Sequence, residues 1–110
     1  MNKTIITGRM TADPKIRYAE NEKPICHFTL ATFDKTRGKS VKKELRFNVV
    51  AMGGLAKICG DYLSKGRLVA VEGSLQMRKY QDKTGKDKTW TEIIAESVQM
   101  LDFGKKEAKK

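Results

Sequence analysis

ELRFNVVAMGGLAKICGDYLSKGRLVAVEGSLQMRKY, residues 44–80, changes its hydrophobic period twice. Over 44–52 the side chains alternate, with Leu45, Phe47 and Val49 on one face and Arg46, Asn48 and Met52 on the other. That is the period of a half-buried strand. Over 53–66 the spacing becomes helical, and Leu55, Ile58, Cys59, Tyr62 and Leu63 fall on one predicted stripe. Gly66 is expected to take the left-handed position just past the helix end, with Lys65 in the last turn. The helix has only about three turns, so packing must hold it. Over 67–80 alternation returns: Val69, Val71, Leu75 and Met77 are expected to face inward, and Glu72, Ser74, Gln76, Arg78 and Tyr80 outward. Gly73 interrupts the inner row and predicts a sharp bend.

The flanking segments extend this strand–helix–strand unit. Residues 25–33 alternate, with Cys26, Phe28 and Leu30 on one face and His27, Thr29 and Ala31 on the other. Residues 2–9 are rich in β-branched side chains and read as a first strand. Asp13-Pro14 breaks it, and residues 15–18 resume it. On the other side, residues 82–88 make a hairpin tip centred on Gly85, and 89–101 return as the last strand. The order is strand, strand, strand, helix, strand, strand. Five curved strands in so short a chain need closure to remove their edges. The expected fold is all-β: a five-stranded Greek-key OB-fold barrel with one short helix between strands 3 and 4. It forms one domain, residues 1–103, followed by a basic tail, 104–110, expected to be disordered.

The formal net charge is +10; Lys105, Lys106, Lys109 and Lys110 less Glu107 supply +3 of it, which leaves +7 elsewhere. Such an excess concerns partners rather than fold. A phosphate backbone fits it; a membrane surface would call for a basic amphipathic helix, and the sequence contains none. No apolar run is long enough to span a bilayer and the N-terminus lacks a signal-peptide pattern, so a cytoplasmic location is expected. Cys26 and Cys59 read as buried thiols.

Two similar basic loop tips, DKTRGK at 34–39 and DKTGK at 82–86, supply Lys35, Arg37, Lys39, Lys83 and Lys86. Arg78-Lys79-Tyr80 adds a ring beside cations, the pair of groups that holds single strands by phosphate neutralisation and base stacking. Arg46, Asn48 and Met52 share the outer face of the third strand, and Arg46 can also stack its guanidinium plane. Arg9 and Lys88 complete the cations. Trp90, the only tryptophan, is open to two readings, a stacked base or a protein contact; Phe33 is a lesser case of the same. Cys26 and His27 point to opposite faces and no second pair exists, so no metal is expected. No nucleophile triad, phosphate loop or dinucleotide fingerprint is present; neither enzyme activity nor a cofactor is expected. Asp82 and Asp87 read as turn residues.

In five stretches the chain resembles the bacterial single-stranded DNA-binding proteins: NKTIITGRMTADPKIRY (2–18), FTLAT (28–32), NVVAMGGLA (48–56), YLSKGRLVAVEGSLQMRKYQDKTGKDK (62–88) and TEIIAESVQML (91–101). The resemblance implies an OB-fold that assembles as a homotetramer and wraps and protects single strands in replication, recombination and repair. It implies a stacking role for Tyr80, with Arg78 and Lys79 as its basic neighbours, and a subunit interface at Phe47. The chain departs from the family at three rings: Met52 stands where the family prefers Phe, Arg46 where it often has Trp, and Thr36 near a third usual Trp. Steeper salt dependence and weaker stacking are therefore expected, offset by charge, Phe33 or Trp90. The final KKEAKK differs in sign from the family's acidic tip, so recruitment of replication proteins through such a tip is not expected. Two other readings are a replication-restart accessory protein of the same fold, acting through protein contacts, and an RNA-binding OB module.

Overall fold

The computed structural model describes residues 1–35 and 42–102, the side chains of 33–35 and 42–43 excepted. Six strands and one helix follow in the order β1 (Thr4–Met10), β2 (Lys15–Tyr18), β3 (Pro24–Lys35), β4 (Lys42–Met52), α1 (Gly54–Tyr62), β5 (Leu68–Gln81) and β6 (Asp87–Met100). β1 and β2 are the two halves of the first strand, divided at Asp13-Pro14 as the sequence indicates. Pro24, which lacks a ladder donor, opens β3.

The strands hydrogen-bond in the order β1-β5-β6-β4-β3-β2, and a further β1–β3 pairing closes the ring. Closure happens at Arg9, which is registered with Leu68 of β5 on one side and with Ala31 of β3 on the other. β4 and β6 run parallel through Val49↔Ile93 and Val50↔Ile94; all other pairs are antiparallel. This is the five-stranded Greek-key barrel of an OB-fold, with its helix between β4 and β5.

Alternation fills the barrel. Cys26, Leu30, Val49, Val69, Val71 and Ile93 are almost wholly buried. α1 closes one end, and here the helical stripe needs correcting. Ala56, Cys59 and Leu63 face the core, Leu55 packs at its margin, and Ile58 and Tyr62 are exposed. A helix set across a barrel mouth touches it along a narrow line, so the small Ala56 and Cys59 occupy the contact. The helix also ends earlier than expected: Leu63 is already extended, with φ −91° and ψ 149°. Gly66, at φ 88°, serves a separate turn closed by the Arg67 N–H on the Ser64 carbonyl at 3.1 Å.

The inner row of β5 needs a second correction. Val69 and Val71 are buried, but Leu75 and Met77 are 41% and 62% exposed. A β-bulge falls between Glu72 and Gly73, where the sequence signals a bend. A Cβ at Gly73 would run into the backbone of Ile94 and Ala95, so only glycine admits the close approach there. Past this point β5 and β6 run on as a two-stranded ribbon from Gln76↔Glu92 to Gln81↔Asp87. Beyond the barrel there is no core for the inner row to enter.

Candidate nucleic-acid interface

The ribbon sorts its side chains by register. Arg78 stands opposite Trp90, and Tyr80 opposite Lys88. Directly opposed residues share a face, so one face carries Arg78, Tyr80, Lys88, Trp90 and Glu92. Tyr80 and Trp90 are 47% and 40% exposed, and Arg78, Lys79, Tyr80 and Trp90 line a cleft of about 300 Å³. Lys79, opposite Thr89, belongs to the other row. The tip is built by Asp82, which accepts hydrogen bonds from the Thr84 N–H at 2.9 Å, the Thr84 hydroxyl at 2.7 Å and the Lys86 N–H at 3.0 Å. The Thr84 hydroxyl and these backbone N–H groups hold its carboxyl below the usual range. Gly85 takes φ 84° at the turn, and Lys83 and Lys86 extend into solvent.

The face continues onto the barrel. The parallel register Val49↔Ile93 brings the β6 and β4 rows side by side, and a second groove of about 260 Å³ joins Trp90 and Glu92 to Asn48, His27, Thr29 and Lys15. The Thr29 hydroxyl donates to Asn48 Oδ1 at 3.2 Å. Arg17 Nε donates to His27 Nε2 at 3.2 Å, which makes that nitrogen the acceptor and His27 neutral. Burial, then the charges of Arg17 and Arg78, hold the His27 pKa below its ordinary value against the pull of Glu92. Met52, 51% exposed, is registered with Ile25, and Ile25 with Arg17. Arg46 lies on the same outer row but pairs with Glu44 at 2.7 Å.

The face therefore brings together Arg46, Asn48, Met52, Arg78, Tyr80, Lys88 and Trp90. Arg9 lies in one cross-strand row with Ala31 and Arg46, but its guanidinium is engaged away from the ribbon: it donates to the Gly66 carbonyl at 2.9 Å and meets Asp102 at 3.4 Å, beside the Arg67–Asp102 pair where β6 leaves the barrel. Phe47 does not stand free on the surface. It is half-buried and packs against the core beside Leu30, so its exposure does not by itself call for a partner. Arg37 and Lys39, with Thr36 and the tail 104–110, lie outside the described residues, as do the side chains of Phe33 and Lys35. The sequence reading missed Glu92, Lys15, Arg17, His27 and Thr29 as members of this face. The alternation of β3 already set His27 and Thr29 outward; what was lacking was the pairing that lays β2, β4 and β6 around them.

Cys26 and Cys59 meet under α1 as free, buried thiols. The hydrogen bond that the Cys59 thiol donates to Cys26, together with burial, pushes the Cys59 thiol well above its ordinary range. Among the described residues no group of three or more His, Cys, Asp or Glu side chains is placed to hold a metal ion. Among them, too, no helix is long and apolar enough to cross a membrane.

Barrel and face together define an OB-fold protein with an exposed cationic and aromatic platform. Residues 1–101 match the single-strand binding protein family, and the chain belongs to that family. A single-stranded DNA-binding protein of Neisseria meningitidis serogroup A is 39% identical over 104 residues, covering 92% of this chain and 60% of the relative. The single-stranded DNA-binding protein 2 of Clostridium acetobutylicum is 41% identical over 107 residues, covering 96% of this chain and 80% of that one. This chain thus spans 60% of the length of the Neisseria relatives. Among solved structures, a Plasmodium falciparum SSB in complex with ssDNA superposes with a TM-score of 0.84 at 29% identity, covering 93% of this chain and 96% of that one.

Proposed function

We propose that this protein binds single-stranded DNA without reading its sequence and shields it during replication, recombination and repair. The observation that carries this reading is the ribbon face, where Arg78, Tyr80, Lys88 and Trp90 stand together. Rings stack on any base because every base has a π-face, and cations follow the phosphate chain. Neither interaction needs a base-edge code. Named relatives and the solved complex with ssDNA support the same reading.

The protein acts by binding and catalyses no reaction, with residues 1–103 as the binding domain. Arg46, Asn48 and Met52 extend the path from the ribbon across the barrel, and Lys79, Lys83 and Lys86 guide the backbone at the hairpin. Phe33, Lys35, Arg37 and Lys39 add further contacts to the DNA. It works in the cytoplasm as a homo-oligomer, a tetramer on the family pattern. Exposed Ile5, Leu75 and Met77, at 69%, 41% and 62%, support self-association, which sedimentation over a concentration series would read.

Competition for labelled oligo-dT tests the binding claim. Unlabelled oligo-dT should displace the label far more effectively than duplex DNA or matched RNA. Equal competition by RNA would favour an RNA module instead. Absence of binding at moderate salt would favour an accessory protein acting through protein contacts.

A further inference from the structure

A surface meant for phosphates has no evident need of a carboxylate, yet Glu92 sits in the middle of this one. It is only 7% exposed. Its Oε1 accepts the Trp90 indole N–H at 2.8 Å and lies 3.4 Å from Arg78 Nη2. Trp90 and Arg78 are cross-strand partners, so a single buried oxygen ties the outward side chains of both ribbon strands together. The arrangement is asymmetric: the Arg78 side chain is 60% exposed while the Glu92 side chain is 8% exposed, so the carboxylate is anchored in the protein and the groups it holds face solvent.

We propose that Glu92 is a positioning residue that pre-orients Trp90 for base stacking and restrains Arg78. This rests on the reading of the face as a single-strand binding site. A ring held by its edge before binding loses less rotamer freedom when a base settles on its face. The same carboxylate competes with phosphate for Arg78. Glu92 thus shifts the site from attraction towards stacking.

Trp90 is the only tryptophan, so its fluorescence reports this one ring. Glu92→Ala removes both contacts; Glu92→Gln keeps an acceptor for the indole and removes the charge. In the DNA-free protein, Trp90 anisotropy should fall in Glu92→Ala and be retained in Glu92→Gln. At high salt, where phosphate attraction is screened, Glu92→Ala should bind oligo-dT about 2- to 10-fold more weakly, the worth of one hydrogen bond. Glu92→Gln should match the parent there, bind more tightly at low salt, and steepen the log–log salt slope by about 0.7 as Arg78 is released to a phosphate. Unchanged anisotropy and high-salt affinity in Glu92→Ala would overturn the proposal. So would a Glu92→Gln protein that loses anisotropy, a comparison that stands even if Glu92→Ala fails to fold. Failure of the parent protein to bind oligo-dT would sink the binding reading instead, while the DNA-free anisotropy would still decide whether Glu92 holds the ring.

Discussion

β5 and β6 each lead two lives. Within the barrel, Val69, Val71 and Ile93 are buried to within 1% of completeness; beyond the Glu72–Gly73 bulge, residues 75–81 of β5 are all exposed. The same pair of strands first closes a core and then runs into solvent as a ribbon. Burial fixes the first part, because removing apolar side chains from water dominates its stability. The second part is held by its ladder, by Asp82 at the tip and by Glu92 at the base. A region without a core of its own is free to present rings and cations, and the division of labour between scaffold and platform follows.

The largest effect that would break this division lies in the barrel. Leu30→Ala should cost about 2–5 kcal/mol of stability through the lost transfer energy and the cavity left behind. Urea unfolding would measure it. Oligo-dT affinity of the folded fraction should stay unchanged; a parallel loss of affinity would mean that scaffold and platform are not separable. Next, Tyr80→Ala and Trp90→Ala should each cost roughly 1–3 kcal/mol in binding, the worth of a stacked base. Their unfolding midpoints should barely move. Ribbon variants that unfold the protein without touching affinity would invert the comparison.

Much of that division can be read in the sequence, and the limits are instructive. The strand order, the alternation of β3 and the interruption at Gly73 are local patterns, so one sequence suffices to find them. Leu75 and Met77 continue the inward row by parity, and nothing local says that the core has ended. That depends on where β1 leaves β5, at Gly73, and where β4 leaves β6, at Ile93, a tertiary fact. Ile58 and Tyr62 fail for a related reason: a helix across a barrel mouth buries a narrower stripe than the period alone suggests. Trp90 is open to two roles in the sequence, and only the pairing of β5 with β6 sets it opposite Arg78. Arg9, by contrast, looks like any other cation in the sequence, and only the closure of β1 on β3 and β5 carries it to Asp102.

Smaller effects sharpen the comparison further. Lys83→Ala should flatten the log–log salt dependence of binding by about 0.7 for one lost phosphate contact, with stability unaltered; an unchanged slope would make the tip a plain solvated turn. The smallest effect concerns pH. The His27 pKa is lowered from an ordinary value of 6.5, so the folded protein binds fewer protons there than the unfolded chain. Its contribution to stability is present above that value and is lost as pH falls from it towards the lowered one. An NMR titration should find the His27 midpoint below 6.5 in the free protein and higher with oligo-dT bound, because phosphates favour the imidazolium. A midpoint unmoved by DNA would place the phosphates away from the barrel part of the face.

Chemical-shift mapping of the isotope-labelled protein with oligo-dT tests the central claim most directly. The account predicts that shifts concentrate on Arg78, Tyr80, Lys88 and the Trp90 indole N–H, continue through Asn48 and His27, and leave Arg9, Asp102 and α1 unmoved. Shifts centred on Arg9 and α1, with the Trp90 indole silent, would contradict it.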